Sequence, residues 1–126
     1  MPYDWRNYLE IAKALRTAGC EGSMRSGMSR AYYALYGCTL TFAKEIGLVT
    51  EKEIQNLLGK MHGELPRRLL STDHEILSQV AMELKTLRER RNDADYNDES
   101  PDYSNDELLS DSILSVKEAF YKLEEY

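Results

Sequence analysis

Apolar residues recur along this chain at intervals of three and four, the period of a helix packed on one side, and no alternating strand pattern occurs anywhere. A first helix is predicted over residues 3–18, with Trp5, Tyr8, Leu9, Ala12 and Leu15 on one side and Glu10, Lys13 and Arg16 interspersed. Gly19 and Gly22 break it, and Ser23 stands where it can cap the next helix. That second helix, over about residues 24–46, carries Met28, Ala31, Tyr32, Leu35, Cys38, Leu40 and Phe42 and stops at Gly47. It is apolar over much of its circumference and is expected at the centre of the fold, where Ala31, Ala34 and Gly37 would admit a close neighbour.

Three stretches have the capping-box form, Ser or Thr followed three residues later by Glu: Thr50 to Glu53, Thr72 to Glu75 and Ser104 to Glu107. Each predicts a helix start. The first opens a short helix ending near Lys60, and Pro66 is expected in the first turn of another that holds Leu69 and Leu70. The second opens a long helix with Ile76, Val80, Leu84 and Leu87 on one face. An acidic, proline-containing break over residues 97–103 ends it, and the last helix places Leu109, Ile113, Val116, Phe120 and Leu123 on a narrow seam. The pattern predicts an all-α fold, an antiparallel four-helix bundle with short helices in the crossover between the second and third long helices.

Carrying the third long helix's register forward places Arg91 and then Ala94 on its apolar stripe. A guanidinium at such a position pairs with a carboxylate inside the bundle, lines a cleft, or snorkels into solvent past the end of the core. Arg30, beside the Ala31-Tyr32-Tyr33 cluster, is a second candidate for an inward-leaning cation, with a surface salt bridge as the alternative. His62 is a candidate ligand or acid–base group, though one His without a metal-spaced partner is more often a surface or capping residue. His74 falls inside a capping box and is expected to be exposed.

A chain of 126 residues is one domain with one core. No apolar run approaches the roughly 20 residues of a membrane span, and the N-terminus lacks the basic-then-apolar order of a secretory leader, so a cytoplasmic protein without a membrane partner is expected. Two cysteines, Cys20 and Cys38, are too few for a disulfide scaffold and have no zinc spacing; neither metal nor cofactor is expected. A net charge of −6 argues against indiscriminate nucleic-acid binding. Its distribution is lopsided: residues 1–70 carry ten Lys/Arg against seven Asp/Glu, residues 71–126 six against fifteen. Such asymmetry can steer two copies, or a basic partner, together.

Two stretches together resemble the HEPN family, the higher eukaryotes and prokaryotes nucleotide-binding domains: Ser29-Arg-Ala-Tyr-Tyr-Ala-Leu-Tyr36 and Arg91-Asn-Asp-Ala-Asp-Tyr96. Lys60-Met-His62, between them, resembles a further partly shared position, and order, spacing and helix count extend the likeness over nearly the whole chain. The resemblance implies a homodimeric four-helix bundle. In catalytic members an Arg followed by a polar residue and then a His forms a metal-independent ribonuclease site across the dimer cleft, and many members accompany a minimal nucleotidyltransferase as toxin and antitoxin. Arg91 and Asn92 match the start of that pattern, but Asp95 or Tyr96 occupies the His position and no His follows His74. The family's downstream Tyr, a modification site in some toxins, would fall near Asp98.

The sequence therefore points first to a HEPN-like binding or accessory module for a nucleotide, RNA or a nucleotidyltransferase partner, with Arg30, Tyr32, Tyr33, His62 and Arg91 as binding residues. The alternative is a metal-independent ribonuclease toxin using Arg91, Asn92, Asp95 and Tyr96, with His62 brought in from the crossover. A third reading makes Arg91 a polar lock, paired with Asp95 one turn on and stacked on Tyr32 or Tyr33, in a purely structural interaction domain.

Overall fold

The computed structural model describes residues 3–126; the reading of the N-terminus as leaderless rests partly on Met1 and Pro2, which lie outside the described residues. Six α-helices follow one another: α1 Asn7–Ala18, α2 Glu21–Glu45, α3 Glu51–Asn56, α4 Met61–Ser71, α5 Glu75–Tyr96 and α6 Glu107–Glu125. A 3-10 turn over Pro101–Tyr103 interrupts the link between the last two, and no strand occurs among the described residues. No described helix is long and apolar enough to cross a membrane.

The second helix is central, as its composition predicts: α2 packs against α1, α5 and α6, α5 packs on α4 and α6, and α1 closes onto α6. Small residues set the spacing. A Cβ on Gly37 would lie 2.3 Å from two atoms of the Trp5 indole, and one on Gly27 would lie 2.7 Å from the tip of Leu109. Trp5 is held over Gly37 by edge-on contacts with Tyr3 and Tyr8, both with ring centroids 5.1 Å away.

Several helix starts differ from the sequence reading, each for a local reason. Ser23 is not the N-cap of α2. The helix begins earlier, at Glu21, and Cys20 caps it: the Ser23 N–H donates to Cys20 Sγ, while the Cys20 N–H donates to Ser23 Oγ. Thr72 does not open α5 but closes α4, its Oγ1 donating to the Leu69 carbonyl. Asp73 then turns the chain in the left-handed region (φ 56°), and His74 caps α5 by accepting the Ile76 N–H at Nδ1. Ser104 is spent on the 3-10 turn, donating to the Pro101 carbonyl, so α6 starts only at Glu107, whose N–H donates to Asn105 Oδ1. Of the three capping boxes, only Thr50 to Glu53 forms as read. That short helix, α3, stops at Asn56, before Lys60.

Pro66 sits well inside α4, not in its first turn, because the buried face of that helix already begins at Met61 and continues through Leu65 and Leu69. The α5 stripe runs through Leu77, Val80, Leu84, Leu87 and Ala94; Ile76 is only half-buried. Arg91 keeps its place on that stripe.

The end of α5 that carries Arg91 is anchored from α2. Arg25 Nη1 donates to the carbonyls of Ala94 (2.8 Å) and Asn97 (2.9 Å), capping the helix's negative end. Its guanidinium lies 5.2 Å from the centre of the buried Tyr103 ring, whose hydroxyl donates to the Arg90 carbonyl. Asp93 accepts from Asn97 and from the buried Ser100, and Arg90 donates to the buried Ser112 of α6.

Gly37→Ala is expected to lower stability by about 1–2 kcal/mol, because a Cβ 2.3 Å from the indole puts the overpacking cost in the upper part of its ~1–3 kcal/mol range, above the gain of about 1 kcal/mol in helix propensity. Gly22, in the same helix, has nothing within 4 Å of its added Cβ, so Gly22→Ala should instead be neutral or stabilising. Urea unfolding of the two variants checks the opposite signs.

Candidate functional site

Three tyrosines of α2, one histidine of α4 and two arginines of α5 converge at one side of the helices. Tyr32 and Tyr36 lie one turn apart, so both reach the same neighbour; that neighbour is His62, near the start of α4. Tyr36 stacks on the imidazole with centroids 4.3 Å apart and planes within 9°, Tyr33 meets it edge-on at 5.7 Å, and the Tyr32 hydroxyl lies 2.7 Å from Nδ1. The ring is therefore fixed on two sides and at one nitrogen.

Protonation follows from this enclosure. Burial, reinforced by the neighbouring phenols, pushes Tyr32 well above the usual tyrosine range and Tyr36 to about 12. Both remain phenols at any physiological pH. Burial first, and then the positive charges of Arg88 and Arg91, pull His62 below the usual histidine value, so a neutral imidazole is favoured at pH 7. In the tautomer whose Nδ1 accepts from the Tyr32 hydroxyl, the ring proton sits on Nε2.

Arg91 reaches the same cluster through Tyr33, lying 5.4 Å from that ring's centre and 5.6 Å from that of Tyr96. It does not stack on Tyr32, the other ring the sequence offered. Its Nε is 2.8 Å from Asp95 Oδ2, with the two side chains 21% and 25% exposed, so the pair is neither sealed in the core nor fully screened. The N–H is not aimed at that oxygen, and Nε is left buried without a hydrogen-bond acceptor. Asn92 accepts from Nη1 instead. The four residues read as a possible catalytic set thus lie in the last two turns of α5, Asn92 and Asp95 engaged with Arg91 and Tyr96 offering a ring that is 74% exposed.

Arg30 is exposed and lies over Tyr8, 4.9 Å from its centre. It lines a groove of about 410 Å³ with Trp5, Tyr8, Ser29, Tyr33 and Asp95, so Tyr33 separates this groove from His62. Among the described residues no group of His, Cys, Asp and Glu is arranged to hold a metal ion. What the cluster offers is a set of aromatic faces for stacking, guanidinium groups for phosphate, and a neutral imidazole able to donate or accept a proton.

Sequence reasoning missed Tyr36, Arg88 and Arg25. Tyr36 carried a legible signal, since it follows Tyr32 by one helical turn; the roles of Arg88 and Arg25 depend on which helices become neighbours. No protein-family model, curated protein or solved structure matches the chain.

His62 binds its proton less tightly in the folded state than in the unfolded chain, whose histidines titrate near ~6.5. Stability is therefore expected to be full above that value and to fall as pH drops from about 6.5 through the lower folded-state pKa. His62→Gln should remove this contribution. Urea midpoints of parent and variant between pH 7 and pH 5 test the sign, and NMR titration of the His62 ring tests the lowered pKa directly.

Proposed function

We propose that this chain is a HEPN-like binding module that engages a nucleotide or RNA through Arg91, Tyr33, Tyr96 and His62, and that it works as a homodimer beside a partner such as a nucleotidyltransferase. The observation that carries the reading is the state of Arg91. A permanently charged side chain stands on an apolar stripe beside two tyrosine rings, its buried Nε 2.8 Å from Asp95 Oδ2 but with the N–H not aimed at that oxygen. A guanidinium flanked by aromatic rings suits both halves of a nucleotide, the phosphate through charge-assisted hydrogen bonds and the base through stacking.

Pairwise packing supports the finer architecture that the resemblance implies. The four long helices contact one another around a closed ring, α1 with α2, α2 with α5, α5 with α6 and α6 with α1, as an antiparallel four-helix bundle requires. Association between copies rests on the resemblance alone, since the positive first seventy residues and the negative remainder pack against each other within one copy.

A second reading, a metal-independent ribonuclease, is favoured by one observation. His62 and Arg91 both contact Tyr33, so an imidazole stands near the guanidinium although no His follows it in sequence. In that reading Arg91 stabilises charge developing on the scissile phosphate and His62 moves the proton.

Arg91→Ala is expected to weaken nucleotide or RNA binding about 10- to 100-fold, the equivalent of ~1.5–3 kcal/mol for a charge-assisted contact, while the fold persists. Unchanged affinity in a folded variant overturns the binding reading. RNA cleavage in the presence of chelator by the parent, abolished by both Arg91→Ala and His62→Gln, would replace it with the ribonuclease reading. Sedimentation equilibrium decides between dimer and monomer.

A further inference from the structure

His62 also borders a second, smaller cleft between α4 and α5, of about 170 Å³, whose polar lining is otherwise made of Arg67, Lys85 and Arg88. Pro66 and Leu70 supply apolar wall, and no carboxylate lines it. Glu64, nearby on α4, is already claimed by the guanidinium groups of Arg67 and Arg68, which hold it down to about 2. Lys85 and Arg88, by contrast, make no ion pair or side-chain hydrogen bond among the described residues. Arg88 does not simply extend into water. Its Nη1 lies 3.5 Å from where a Cβ on Gly63 would be, so the guanidinium is drawn in against the α4 backbone.

We propose that this cleft is a phosphate site in which Arg88, Lys85 and Arg67 neutralise the anion and His62 Nε2 donates to one of its oxygens. Lys85 and Arg88 line the cleft as like charges without a counter-ion, Arg67 being paired with Glu64, and an anion seated there relieves their repulsion with Arg67 as a third cation at its side. Size restricts what enters. Small-molecule pockets generally run from about 300 Å³ upward, so this cleft admits a phosphate group and not a whole nucleotide. The rest of the ligand must lie outside, and His62 connects the cleft to the aromatic cluster of Tyr33, Tyr36 and Arg91. The inference rests on the nucleotide- or RNA-binding reading for its biological ligand, but the anion site is testable without it.

The experiment is calorimetric titration of the full-length chain with inorganic pyrophosphate, then with a short RNA carrying either a 5′-phosphate or a 5′-hydroxyl. The variants are Lys85→Gln/Arg88→Gln, both exposed positions whose loss should leave the fold intact, and Arg91→Ala. Saturable pyrophosphate binding, weakened at least tenfold in the double variant and retained in Arg91→Ala, is the expected result. Absence of saturable binding by the parent, or equal binding by the double variant, overturns the phosphate site. Preference for the 5′-phosphorylated RNA, lost in the double variant, assigns the cleft to a terminal phosphate; equal binding of the two RNAs, weakened in the double variant, assigns it to an internal phosphodiester. Pyrophosphate binding in the cleft with no binding of RNA or nucleotide would uphold the site and overturn the proposed function.

Discussion

A permanent charge on an apolar stripe is the constraint around which this molecule is arranged. Arg91 continues the face of Leu77, Val80, Leu84 and Leu87, and its guanidinium cannot be neutralised as a buried lysine or carboxyl could be. Full burial of that charge would cost several kcal/mol. The structure avoids it by leaving the Arg91 side chain partly exposed between the buried Leu87 and Ala94, giving it Tyr33 and Tyr96 as polarisable neighbours and Asp95 as a counter-charge. Those contacts require the last turns of α5 to keep their position. Arg25, reaching across from α2 to cap the helix end, and Tyr103, bound to the Arg90 carbonyl, supply that restraint.

The existence of the long helices was legible because each buries a face of ordinary helical period. Composition also identified α2 as the central helix, since few other segments could tolerate contact on three sides. Helix starts were legible only in part. Thr50, Thr72 and Ser104 head the same pattern, yet Thr72 and Ser104 lie within hydrogen-bonding reach of the carbonyls of Leu69 and Pro101 and bind those instead. The Thr72 hydroxyl still accepts, but from the His74 N–H of the turn, and the Glu107 N–H that Ser104 would cap is taken by Asn105 Oδ1. Cys20 was passed over because thiols are weak acceptors; Ser23 makes the arrangement reciprocal by returning a hydrogen bond. At the candidate site, Arg91 stood out through a broken hydrophobic register, but Arg88 did not, because an arginine on an exposed helix face breaks no pattern.

Net charge gave little warning of the local field. The chain is acidic overall, and its second half strongly so, yet Lys85 and Arg88 of that half face Arg67 across a cleft without a carboxylate. Glu83 and Glu89, nearest in sequence to Lys85 and Arg88, do not line the cleft, while Asp93 holds Asn97 and Ser100, and Glu64 is held by Arg67 and Arg68.

Tyr32 links the core to the site. Its ring is 1% exposed and packs with the side chains that fix α2 against its neighbours, while its hydroxyl holds His62 Nδ1. An imidazole on an exposed turn would sample many orientations and lose rotational freedom whenever a ligand bound. Here that ordering is completed during folding, by one hydrogen bond to a buried phenol and one stacked contact to Tyr36. The same enclosure favours the neutral ring, so His62 does not add a third cation beside Arg88 and Arg91. A fixed imidazole and the guanidinium charges are thus supplied by different residues on different helices. The fit of the site to an anion then depends on how closely α4 and α5 approach, a distance set by the buried packing of Met61, Leu65 and Leu69 beneath it.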